Sequence, residues 1–176
     1  MELTRRDAVA ALAAIGAGGA ATVGIRRYRE SSAEPPVDDS QVRETLVAVA
    51  DVVYPDAVTG TATFVETFLN GRLDDPDHGA GLREAVADLE RLSAEWYDDA
   101  VADLSAADRD SLLREVGSNT AAEDPDGTTA ERVRYYVVNE LLLALYASPT
   151  GGELVGIENP QGHAGGIDTY QRGPEP

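Results

Sequence analysis

Few side chains in this sequence are of types that perform chemistry, and their spacing is poor for it. His78 and His163 are the only histidines, 85 positions apart and in dissimilar loops. With nearby carboxylates they form the one conceivable metal set, a weak signal in a chain so rich in acids. Serine hydrolysis needs a nucleophile elbow such as Gly-x-Ser-x-Gly, and none occurs. Gly162-His163-Ala164-Gly165-Gly166 has the composition of an oxyanion or phosphate loop. It follows no predicted strand and precedes no predicted helix, so the context of a nucleotide motif is missing. Asp51 falls on the polar side of its helix. Asp74-Asp75 and Asp98-Asp99 read as solvated pairs, and Trp96-Tyr97 as core and rim. With no cysteine, the chain cannot hold a Cys-ligated iron–sulfur cluster, a covalently attached haem or a thiolate nucleophile. The residues therefore assign no catalytic, cofactor-binding or metal site to this chain.

The elements that would have to position any site are helical. Val42, Leu46, Val49 and Val53 recur at helical spacing after Ser40, a fair N-cap, and Tyr54-Pro55 ends that helix. A turn through Gly60 leads to a second helix, about 63–73, carrying Phe64, Val65, Phe68 and Leu69. Asp74-Asp75-Pro76-Asp77 stops it. A third, about 81–103, has the inward stripe Leu82, Val86, Leu89, Leu92, Trp96 and Ala100. Ser105-x-x-Asp108 and Thr128-x-x-Glu131 are capping boxes that open a fourth and a fifth helix. Gly117 suits the end of the fourth, and Ser148-Pro149 ends the fifth. The class is all-α, a compact bundle of about five helices. After Pro149 the chain is dense in Gly and Pro, which predicts an irregular arm and no helix. Leu154, Val155, Ile157, Ile167 and Tyr170 would anchor that arm over the bundle or a partner.

The N-terminus reads differently. Arg5-Arg6-Asp7 precedes an uncharged stretch, Ala8 to Ile25, with eight Ala and four Gly. Its five strongly apolar residues supply about −2 kcal/mol of insertion free energy, marginal for a membrane span and adequate for a twin-arginine (Tat) signal. The competing reading is an Ala-rich amphipathic helix with a chance arginine pair. Small residues at Ala17–Ala21 could be cut, while Arg26, Arg27 and Arg29 also fit a retained anchor. The expected organisation is a signal or anchor over 1–30, a linker over 31–40, the helical domain over 41–147 and the arm over 148–176.

Charge bounds the partners. The chain carries a net −18 and no Lys, and residues 31–176 alone carry −20. Carboxylates interleaved with apolar residues at helical spacing suit a solvated acidic shell around an ordinary core, as in salt-in halophiles. No basic face is available for phosphates, which disfavours nucleic-acid binding, and no nucleic acid is expected among the partners.

These features together resemble gluconate 2-dehydrogenase subunit 3, the small subunit of membrane-bound flavoprotein dehydrogenases. The resemblance rests on the leader, on Val49-Ala50-Asp51-Val52-Val53-Tyr54-Pro55, on Phe64-Val65-Glu66-Thr67-Phe68-Leu69 and on Ser148-Pro149-Thr150-Gly151-Gly152-Glu153 with Gly156-Ile157. It spans about residues 42–174. Glu153 stands where that family has Asn, Ile157 where it has Trp, and the tyrosine before Gly-Gly is missing. The resemblance implies a non-catalytic subunit with no cofactor of its own, paired with an FAD-binding subunit that oxidises a sugar, sugar acid or alcohol. A cytochrome or other acceptor subunit takes the electrons. The small subunit would supply the Tat signal, engaging the Tat translocon and placing the complex on the outer membrane face, anchored or peripheral. Arg5 and Arg6 would then be the export signal. Tyr54, Pro55, Pro149, Gly151, Gly152, Gly156 and Tyr170 would be the candidate partner contacts. The rival reading is a stand-alone exported helical binding protein of the cell surface.

Overall fold

The computed structural model describes residues 1–16 and 37–156. Expectations for Ala17–Ala21, Arg26, Arg27, Arg29, most of the linker, His163, Ile167 and Tyr170 fall outside these residues. The described chain is all-α: α1 (Arg5–Gly16), α2 (Asp39–Val53), α3 (Thr61–Leu73), α4 (Pro76–Tyr97), α5 (Ala106–Val116), α6 (Thr129–Val133), a π-helical segment (Arg134–Asn139), α7 (Glu140–Ala147) and α8 (Pro149–Leu154). Residues 129–147 form one continuous rod with the π-segment at its centre. An isolated parallel bridge, Glu2 with Thr59, is the sole extended pairing among the described residues.

Local chemistry sets the boundaries. Asp38 caps α2 through its carboxylate and the Gln41 N–H, two residues before the expected cap at Ser40. Asp75 accepts from the N–H groups of Asp77 and His78, and Pro76 takes the first helical position. The same four residues that end α3 therefore also begin α4, five residues earlier than its apolar stripe suggests. Asp98 closes α4 in the left-handed region at φ 62. Ser105 and Thr128 cap α5 and α6 as expected, the second with a full reciprocal box.

Two elements depart from the expected bundle. Ser148 does not only end α7; its hydroxyl accepts from the Gly151 N–H, and Pro149 opens the short helix α8. A cap and a first-turn proline outweigh the low propensity of Gly151 and Gly152 over a single turn. The first part of the expected irregular arm is thus helical. The second departure is α1, which is packed into the domain against α3, α7 and α8.

The core is continuous through these helices. Leu46, Phe64, Phe68, Leu69, Leu82, Leu89, Leu112, Leu141 and Leu145 are almost fully buried, and Phe64 stacks on Phe68 at 6.5 Å between ring centroids. Trp96 is the exception to the expected stripe. It sits on the outer face of α4's last turn, 44% exposed, because the helix ends at Tyr97 and the chain turns away before covering it. Ala100 is likewise exposed. Val101 and Leu104, in the following loop, fill the core in their place. Arg109 pins that loop to α2 by donating to the carbonyls of Val101, Ala102 and Ala48.

The acidic shell has a measurable consequence. Between about 0.1 M and about 1 M salt the screening length falls from about 10 Å to about 3 Å. With a net charge of −18, the thermal midpoint should rise across that range with KCl and NaCl alike. Thermal melts followed by circular dichroism give the check; a flat or falling midpoint contradicts it.

Candidate functional site

The strongest concentration of ionisable groups in the interior is built from three helices. Glu140, the first residue of α7, is 4% exposed and carries a charge in a helix of mean apolar character. Arg72, near the end of α3, reaches it with both Nε and Nη2, the latter at 2.9 Å from Oε2. His78, in the first turn of α4, places Nε2 3.4 Å from the same Oε2 and 3.0 Å from Arg72 Nη2. One ring nitrogen cannot serve both neighbours in one state. With Nε2 carrying the proton, the ring donates to Glu140 and leaves Nδ1, 3.3 Å from Arg72 Nη2, as the acceptor. The His78 ring also lies 5.3 Å from the Tyr136 ring, centroid to centroid. Tyr136 rests on Gly81, where a Cβ would come within 2.2 Å of its ring.

The π-segment sets this geometry. A π-turn inserts one residue into the hydrogen-bond ladder and rotates all that follows, a device that often re-aims a side chain. Here it precedes Glu140 directly and brings the carboxylate inward beside Leu141. Burial alone would raise the Glu140 carboxyl, but hydrogen bonds from His78 and Arg72 outweigh it and hold the group below its ordinary value of 4.5. The Tyr54 phenol is raised by burial and then by the Glu140 charge, so it stays protonated and donates to the Leu141 carbonyl at 2.9 Å. Burial likewise pushes Tyr136 up to about 12.

Both oxygens of Glu140 are engaged, so the cluster braces α3, α4 and α7 against one another. Its linkage sign is definite. Because the folded value is depressed, the stabilisation is present above 4.5 and is lost as pH falls through the lower folded value. Denaturation midpoints should therefore decline below pH 4.5, and less steeply in Glu140→Gln.

Two of the segments that carry the resemblance meet on α7. Tyr54, at the end of α2, binds the Leu141 carbonyl and packs edge-on against Phe64 at 6.4 Å. One turn further along, Ser148 Oγ donates to the Leu145 carbonyl at 2.7 Å. Gly151 backs onto that same carbonyl so closely that a Cβ would stand 1.7 Å from the oxygen. Tyr54, Gly151 and Gly152 are buried within the chain's own fold. Pro149 is half-buried, while Pro55 and Gly156 are exposed. Arg5 and Arg6 are exposed in the first turn of α1.

The family model for gluconate 2-dehydrogenase subunit 3 matches residues 40–165, well over half of the chain. The chain belongs to that family. The match takes in α2 through α8, with both segments that converge on α7, and begins after α1. No curated protein and no solved structure gives a match. Family membership makes the chain a subunit of an oxidoreductase complex and implies dehydrogenase subunits as its partners.

Sequence reasoning missed the cluster that braces this family member. His78 reads as a loop residue when Asp75-Pro76 is taken only as a stop. The available signal was the cap-plus-proline pair, which puts His78 in a helical first turn. Asp51, by contrast, lies exposed on the polar side of α2 as expected, 4.0 Å from Arg109. Among the described residues no group of three or more His, Asp or Glu side chains is arranged to hold a metal ion. None of their helices is long and apolar enough to cross a membrane.

Proposed function

We propose that this chain is the non-catalytic small subunit of an exported, membrane-associated, FAD-dependent dehydrogenase of sugars, sugar acids or alcohols. FAD is held by the large partner subunit, and a cytochrome or other acceptor subunit receives the electrons. The small subunit contributes the Tat signal and assembly contacts, so that a signal-less flavoprotein crosses the membrane as its folded partner. The observation that carries this reading is the family match over residues 40–165. The arginine pair ahead of an uncharged segment supports the export role. Saturation of the interior cluster supports a bracing role for Arg72, His78 and Glu140 over chemistry of their own.

The test is affinity purification of the tagged full chain from native membranes. A flavoprotein with the absorbance of bound flavin should accompany it. Recovery as a lone, stable monomer would overturn the proposal and leave the stand-alone binding protein.

A further inference from the structure

We propose that the helical domain contains a receptor groove for its own leader, and that the docked leader is withheld from an export translocon. The inference rests on the export reading above and adds a state-dependent control to it.

The groove is built to receive residues 1–12. Leu3 N donates to the Thr59 carbonyl at 2.6 Å, and Thr59 N donates to the Met1 carbonyl at 2.8 Å. At Gly60, φ is 77 and a Cβ would lie 2.1 Å from the Leu3 carbonyl oxygen, so only glycine allows that approach. At Gly71 a Cβ would stand 3.0 Å from Leu12 Cδ2, so the missing side chain is the space Leu12 occupies. Thr150 lies 3.5 Å from the Glu2 carbonyl and 3.4 Å from Asp7 Oδ2. Leu3, Ala8 and Ala11 are buried. Gly60, Gly71 and Thr150 fall within the family-matched region, whereas the leader precedes it.

Docking uses the surface that export would need. Ala8 and Ala11 open the uncharged segment that a translocon or membrane would accept, and one apolar face cannot be buried in two places at once. The two states therefore compete, and each ligand of the leader shifts the balance. Docking is also held short of irreversible. Thr4 and Asp7 cap α1 reciprocally, with Thr4 N donating to Asp7 Oδ2 at 2.7 Å, which fixes Arg5 and Arg6 in the first turn. Cations are disfavoured there by the helix dipole. A helix serving only the core would gain from acidic residues at those two positions.

A disulfide lock tests this in the full chain, which has no cysteine of its own. Glu2→Cys with Thr59→Cys joins the two residues of the parallel bridge. Oxidised protein should lose uptake into translocon-bearing membrane vesicles, and reductant should restore it. Gly71→Leu should do the opposite, raising protease cleavage within residues 1–16 and raising uptake. Equal uptake by oxidised and reduced protein overturns the proposal, as does failure of the pair to oxidise. Arg5→Lys with Arg6→Lys is the separating arm. If that pair leaves uptake unchanged, the export reading itself falls; if it abolishes uptake while the lock has no effect, only the latch falls.

Discussion

Glu140→Ala should destabilise the domain by about 3–5 kcal/mol, the range for removing one partner of a buried ion pair. The cost comes mainly from what is left behind. Arg72 is only 19% exposed and always charged, and the substitution takes away the acceptor of both its Nε and Nη2 donors. His78 loses its carboxylate at the same time. Glu140→Gln keeps the shape and one acceptor oxygen, so it should fall between the wild type and Ala. The pair Arg72→Met with Glu140→Met should recover much of the loss, since an apolar pair of similar volume removes both buried charges. Denaturant unfolding of the three variants is the measurement. A cost below about 1 kcal/mol for Glu140→Ala would place the ion pair among solvated surface pairs and contradict the burial.

How much of this was legible depended on whether the cause was local. Ser105-x-x-Asp108 and Thr128-x-x-Glu131 announce helix starts because donor and acceptor are three residues apart, and both caps form. The apolar spacing of α2 through α5 was readable for the same reason, and with it the all-α class. Thr4-x-x-Asp7 has that same spacing, yet the arginine pair inside it drew the reading toward a leader. The α1 contacts were invisible because five small Ala side chains in its 12 residues give no clear apolar stripe. Glu140 was hidden for a different reason. It lies in an apolar run, and Arg72 is 68 positions away, so nothing nearby marks it as paired. The π-segment that aims it has no recognised sequence signature here; Arg134-Tyr135-Tyr136-Val137-Val138-Asn139 reads as plain buried helix.

The two readings of the N-terminus are compatible in physical terms. A segment can be weakly apolar enough to leave a groove and apolar enough to fill one. Its roughly −2 kcal/mol of insertion free energy is the size of effect that modest docking contacts can match. A strongly apolar leader would not be released, and a polar one would not dock. The alanine-rich composition therefore fits a helix held between two alternatives better than it fits either alone.

Gly151→Val is expected to cost about 2–4 kcal/mol and to loosen the leader. The new Cβ would lie 1.7 Å from the Leu145 carbonyl oxygen and 2.5 Å from its carbon, distances no rotamer relieves because the obstacle is backbone. Overpacking of this kind costs about 1–3 kcal/mol, and displacing α8 also breaks the Ser148 cap, worth about 1 kcal/mol. Thr150 moves with α8, so its contacts with Glu2 and Asp7 go too. Gly156→Ala is the matched control. Its φ is 78 and nothing lies within 4 Å, so only the backbone penalty of about 1–2 kcal/mol applies, at a site that can relax. Chemical denaturation ranks the two, and protease cleavage within residues 1–16 separates them further. Equal costs would mean that the close approach of Gly151 to the Leu145 carbonyl carries no weight, since Gly151 is helical and has no positive φ to protect. A larger cost with faster leader cleavage would show that the Gly-Gly step, read from sequence as a partner contact, first holds the chain's own α8 against α7 and α1.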